Sequence, residues 1–428
     1  MNLYMVLGTW MFAAYFRQYL ASNWEAGSAI KYILVQFYLA MENVIASWYS
    51  SMLLLLVSLK STLCFLTDRK QNLSRRERYL SWGWLGFAFA FALLSLDEIG
   101  SLHERIGMIT AFNPSGDLPL GWVLVLAVPI GLVALFMVAF AWLHIRQSVL
   151  AFAFTITGVI CFITVPFLEL LELRIVATTQ IEIFWQNQTA SQMVEESLEI
   201  FGSLFFLIAT NLYIIHSFRQ DEGAISSEQE STSFSATLQT ALIGASLLIG
   251  LLGLEALLVE WLVRNTVSGD AGIAKNWFPA ALGMLVLLLC LQIWEAIPSR
   301  KIFHRLLYLL LGLFSLLLGM YYGANIYGYM SWEQMIVPGR WLHLSLLTIA
   351  VVLGIELTLQ VKNLWSKVGI VAWVIFLGIG MKSGFIYVAH LVFIAFTCLL
   401  ISLLLHLYRW QHLSESQAEI LSFDNSEL

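Results

Sequence analysis

Residues 93–107 read LLSLDEIGSLHERIG. Asp97, Glu98, His103 and Glu104 gather there, at the end of a segment from about 80 to 98 that is otherwise apolar enough for the inside of a bilayer. Ionisable groups are expensive in hydrocarbon and mark sites where they occur, so the fold class has to be settled first. The chain has 428 residues, 59% of them hydrophobic and only 12% charged, with a mean hydropathy of +0.80. A soluble protein of this length has too little interior to hide that much apolar surface. Spanning the hydrocarbon layer takes roughly 20 apolar residues in a helix. Long unbroken apolar runs, rather than the alternation of a barrel strand, recur along the chain.

The expectation is therefore an all-α, polytopic transmembrane helix bundle of about 12 helices, with 10 to 14 as the range. The predicted spans are 3–20, 44–66, 80–98, 119–143, 149–172, 194–215, 238–263, 278–297, 306–328, 341–361, 367–381 and 385–408. The opening run MNLYMVLGTWMFAAYF has no basic residue before Arg17 and no small-residue cleavage site after it, so it reads as a retained helix. Cys64, Cys161, Cys290 and Cys398 lie singly inside apolar runs, which fits core or lipid-facing positions and no cysteine zinc site.

The basic runs DRKQNLSRRER (68–78), HIRQ (144–147), PSRKIFHR (298–305) and KNLWSK (362–367) fall on alternate turns. The excess of Lys and Arg in cytoplasmic loops then places both termini in the cytoplasm. The segments 99–118, 174–192 and 329–340 face outward. The polar stretch 216–237, HSFRQDEGAISSEQESTSFSAT, has the Ser and Glu content of a flexible cytoplasmic link. It divides the chain into an N-terminal six-helix half, 1–215, carrying the acids, and a C-terminal half with a short tail, 238–428. The best internal match, LLSLDE (93–98) with LLGLEA (251–256), is too short and Leu-rich to establish a repeat.

Under this topology the acids share one membrane level. At about 100° per residue, Asp97, Ser101 and Glu104 form a stripe at the outer end of the third helix, with Gly100 beside it and Glu98 and His103 nearby. The sixth helix starts at the same side with SQMVEESLEIFG, putting Glu195 and Glu199 on one stripe with Gly202, and Glu196 alongside. Gly100 and Gly202 are expected to let the two helices touch. Glu42, Asn43 and the serines of ENVIASWYSS, with Glu169 and Glu172 after Pro166, add supporting polar groups on that side.

Acids at the start of a helix also complement the macrodipole, which by itself accounts for Glu195 and Glu196. The acids of the third helix sit near a C-terminal end, where the dipole disfavours them, so they call for a different explanation. Carboxylates on facing helices suit a divalent metal, with Asp97, His103, Glu104, Glu195 and Glu199 as candidate ligands. They equally suit a cation or proton site built from Asp97, Glu98, His103, Glu104, Glu195, Glu196 and Glu199. In the second half Glu255, Glu260, Asn325, His343, Glu356, Lys382 and His390 are scattered singly. Of these, Glu255 and Glu356 stand deepest in apolar sequence, where a buried pair with Arg264, Arg340 or Lys382 is the structural alternative.

The combination EN…SWYSS, SLDE…HE and EExLE resembles uncharacterised bacterial multipass membrane proteins. The resemblance covers the N-terminal half and implies a hallmark without a reaction or substrate. With the net charge at -6 and no phosphate-binding loop, nucleic-acid and nucleotide chemistry are excluded. Three functions stay open. The first is transport of a small solute or ion through an outward-facing carboxylate and histidine site. The second is a membrane-embedded, metal-dependent enzyme acting on a lipid or lipid-linked substrate at the outer leaflet. The third is an assembly or scaffold protein. The bilayer of a bacterial inner membrane is the expected surrounding, and a divalent metal is the candidate cofactor.

Overall fold

The computed structural model describes residues 44–70, 74–100, 121–178, 188–221, 274–297, 301–324, 336–382 and 391–407. Among them there are helices and no strands. Seven helical stretches are long and apolar enough to span a membrane, and three more, Ala127–Leu143, Leu364–Ile379 and Leu391–Leu407, are apolar but shorter. Seven of the expected spans are thus met by helices of that length, and three more coincide with the shorter apolar helices. The remaining two, 3–20 and 238–263, lie outside the described residues.

The chain forms two compact units, Met1–Ala274 and Lys275–Leu428. The polar stretch 216–237 belongs to the first of these, and its part after Asp221 is outside the described residues. The start of that stretch is also helical, because a helix already nucleated extends cheaply and the sixth-helix residues run on through Asp221.

In the first unit the helices are α1 (Ile45–Lys70), α2 (Arg75–Leu80), α3 (Gly83–Gly100), α4 (Gly121–Leu143), α5 (Val149–Thr178) and α6 (Gln188–Asp221). The basic run 68–78 is mostly helix rather than loop. Ser74 caps α2 by a reciprocal pair of bonds, its Oγ accepting from Glu77 N while its own N–H donates to the Glu77 carboxylate, as the S-x-x-E spacing allows. A single 3₁₀ turn, Ile145–Gln147, joins α4 to α5.

Helices α1 and α3 run antiparallel and are joined by hydroxyls. Ser51 Oγ donates to Ser95 O (2.7 Å) and Ser58 Oγ to Ala88 O (2.7 Å). The serine stripe of α1 therefore serves interhelical packing, one role of small hydroxyl residues inside membranes. Helix α6 packs against α5 and α1. The neighbourhoods of Gly158 on α5 and Gly202 on α6 show how: a Cβ on Gly158 would lie 2.8 Å from the Phe206 ring, and one on Gly202 would lie 2.8 Å from Phe162.

The second unit contains α7 (Ala274–Ala296), α8 (Ile302–Gly323), α9 (Ile336–Gln360) and α10 (Leu364–Lys382), followed by α11 (Leu391–Leu407). Helices α7 and α8 approach backbone to backbone, since a Cβ on Gly283 would lie 2.5 Å from Ser315 O and one on Gly319 would lie 2.8 Å from Pro279 O. Buried Trp277, Phe278, Trp373 and Phe396 fill its core. Two ionisable groups of this unit have local partners: Gln360 Nε2 donates to Glu356 Oε1 (3.2 Å), and His343 Nε2 lies 2.6 Å from the Tyr321 hydroxyl. Glu255, Glu260, Arg264, Asn325 and His390 lie outside the described residues.

Replacing Gly283 with Leu forces a side chain against the α8 backbone, which has no side-chain rotamer with which to yield. The expected cost is about 3 kcal/mol, at the upper end for overpacking. Thermal unfolding in detergent, read beside Gly131→Leu, checks it: Gly131 has open space, and equal effects of the two would refute the close approach.

Candidate functional site

The register between α3 and α6 follows from two ring contacts and one polar one. Trp84 meets Tyr213 with centroids 4.8 Å apart, and Phe91 meets Phe206 at 4.7 Å. Each step along α3 is seven residues, two helical turns, matched by seven residues back along α6. The next step brings Glu98 to Glu199. Glu98, Glu196 and Glu199 accordingly converge, each offering a carboxylate oxygen within 4.8 Å of the others. All three are half-buried.

An interface that is aromatic at two of its levels thus turns acidic at the third. The groups facing Glu98 are Glu199, Glu196 and the Ser50 hydroxyl of α1. Ser50 is fully buried, and its Oγ is directed at this carboxyl without completing a hydrogen bond of normal geometry. Beneath the acids, Ser51 and Ser95 close the α1–α3 seam.

The structure selects among the predicted residues. Glu98, Glu196 and Glu199 come together, while Asp97, half-buried, and Glu195, buried, stand outside that ligand-distance group. Glu42, Asn43, Ser101, His103 and Glu104 lie outside the described residues, as do the side chains of Glu169 and Glu172. The surroundings of Gly100, expected to touch Gly202, lie outside the described residues. Gly202 has the ring of Phe162 from α5 against it, and α3 meets α6 through long side chains such as Phe91 and Phe206. A one-residue change of face, about 100°, is the reason Glu98 replaces Asp97 at the contact.

A second polar cluster was not recognised in the sequence. At the other end of α1 and α6, beside the end of α4, Tyr213 O–H donates to Asp68 Oδ1 at 2.9 Å, and His144 Nε2 lies 2.8 Å from Asp68 Oδ2 and 3.0 Å from the Tyr213 oxygen. The side chains of His144 and Asp68 are 5% and 0% exposed, so this is a buried hydrogen-bonded triad in which the phenol contacts both partners. Trp84 covers Tyr213, and Phe140 lies against His144 with centroids 5.2 Å apart. The pair hid inside runs read only for their positive charge, DRKQNLSRRER and HIRQ. The available signal was the acid leading the first run and the histidine leading the second.

A family model described as Domain of unknown function (DUF8692) matches residues 4–213. That span includes both clusters, from Ser50 and Asp68 to Glu199 and Tyr213. Comparison with curated proteins and with solved structures finds no match.

Proposed function

We propose that this chain is a multi-pass protein of the bacterial plasma membrane that moves a small solute or ion, taken up at Glu98, Glu196 and Glu199. The observation that carries this reading is the convergence of three carboxylates between α3 and α6. Acids inside a membrane bundle face substrate and ion pathways far more often than they face lipid. Asp97 and Glu195 border the site, and His103 and Glu104 follow it in sequence.

A second observation favours passage over catalysis at one surface. The Asp68–His144–Tyr213 cluster lies about 21 Å along α6 from Glu199, at 1.5 Å per residue, so the same helices carry an ionisable station near each end. Lys60, half-buried on α1, falls between them. The basic runs beside Asp68 and His144 assign that end to the cytoplasm by the positive-inside rule. The carboxylate site then opens outward, and both termini are cytoplasmic.

The rival reading, an enzyme acting on a lipid or lipid-linked substrate at the outer leaflet, draws on the same trio as metal ligands. Purified protein in sealed vesicles separates the two. Solute or cation flux that disappears in Glu98→Gln supports transport, whereas lipid turnover without flux supports the enzyme. Single-cysteine labelling in whole cells tests the orientation: an impermeant reagent is expected to modify a probe at Asn187 and spare one at Ser226, and the reverse pattern inverts the topology.

A further inference from the structure

We propose that Glu98, Glu196 and Glu199, together with the hydroxyl of Ser50, form a binding site for a hard divalent cation, Ca²⁺ or Mn²⁺ in preference to Mg²⁺ or Zn²⁺. The inference rests on the reading of this trio as the uptake site and specifies what it takes.

Three features carry it. The first is the donor set. The site presents carboxylate oxygens and an alcohol, with no thiol or imidazole among the described residues that compose it. All-oxygen sites select hard cations, while Zn²⁺ and Cu²⁺ favour nitrogen and sulfur. The second is spacing. Calcium–oxygen bonds are about 2.3–2.6 Å, so two oxygens on opposite sides of the ion stand about 4.6–5.2 Å apart, and neighbouring ones closer. The oxygens of the three glutamates lie within 4.8 Å of one another, so they can share one ion without moving the helices.

The third feature is Ser50. A fully buried hydroxyl that makes no hydrogen bond costs free energy unless something completes its contacts, and this one is directed at the Glu98 carboxyl. An ion seated on Glu98 would accept its lone pair. With Glu196 and Glu199 both facing Glu98, a divalent ion is favoured over a monovalent one, because twice the charge offsets more of the mutual repulsion. Mg²⁺ is the weaker candidate, because it dehydrates reluctantly and a half-buried site between helices supplies few waters.

The test is thermal unfolding of the purified full chain in detergent, stripped with chelator and then titrated with CaCl₂, MnCl₂, MgCl₂, ZnCl₂ or NaCl. Ca²⁺ or Mn²⁺ at 100 times its dissociation constant is expected to raise the midpoint by about 2–5 °C, with Mg²⁺ and Zn²⁺ at least 10-fold weaker and Na⁺ without effect at matched ionic strength. Glu98→Gln and Glu199→Gln, which keep side-chain volume, are expected to weaken the apparent affinity at least 10-fold. Ser50→Ala is expected to weaken it about 3-fold, with recovery in Ser50→Thr. No response to divalent ions, a preference for Zn²⁺, or an undiminished response in the glutamine variants would overturn the site. Should an acid variant unfold, equilibrium dialysis with radioactive Ca²⁺ on the folded Ser50→Ala protein decides, and undiminished affinity overturns the hydroxyl ligand. Ion binding without flux in vesicles would leave this site standing and remove the transport reading. Flux without divalent binding would do the opposite.

Discussion

Replacing Asp68 with Ala is expected to destabilise the first unit by about 3–5 kcal/mol, the cost of removing one member of a buried pair. Two donors lose their acceptor at once, the Tyr213 hydroxyl at 2.9 Å and His144 Nε2 at 2.8 Å. The Asp68 side chain is completely buried, so water is not at hand to replace it. Tyr213→Phe removes a single hydroxyl and keeps the ring against Trp84. Its cost is expected to be about 1 kcal/mol. Unfolding in detergent followed by tryptophan fluorescence measures both, with Trp84 as the local reporter. If Asp68→Ala and Tyr213→Phe cost the same, the carboxylate is not the hub of this cluster.

Neutralising Glu98 has the opposite sign. With the chain freed of divalent ions, Glu98→Gln is expected to stabilise the protein, by on the order of 1–2 kcal/mol, even as it abolishes function. Two unit charges 4 Å apart repel by about 4 kcal/mol at an effective dielectric constant of 20, and neutralising one member of the trio recovers part of that. The amide removes one charge while leaving a donor that Glu199 can accept. Sites arranged for function commonly hold such repulsion at the expense of stability. The measurement is the unfolding midpoint of both proteins in chelator and in excess Ca²⁺. A variant less stable than the parent in chelator would mean that Glu98 is held as a structural hydrogen-bonding partner.

Much of the membrane architecture was legible because apolar run length is a local property. The segment 44–66 declares itself by composition alone, and the structure has a helix long and apolar enough to span over Ile45–Arg69. Helix ends were less legible. The run 68–78 looked like a loop from its charge, yet α1 persists to Lys70 and Ser74 caps a further helix. Charge marks where a chain leaves the bilayer, not where its backbone bonding ends.

The acids were legible as a kind of feature, and their partners were not. The sequence by itself determined that carboxylates stand at the ends of two apolar helices, because hydropathy and the cost of burying charge act on each helix separately. Which acid meets which depends on how the two helices are rotated and slid against one another. The rings of Trp84, Phe91, Phe206 and Tyr213 set that register, and it selects Glu98 over Asp97. The Asp68–His144–Tyr213 cluster was decided wholly by tertiary structure. Its members are 76 and 69 residues apart along the chain, and no periodicity links them. Only the packing of α1, α4 and α6 excludes water around the carboxylate and so converts a charge in a basic run into a buried partner.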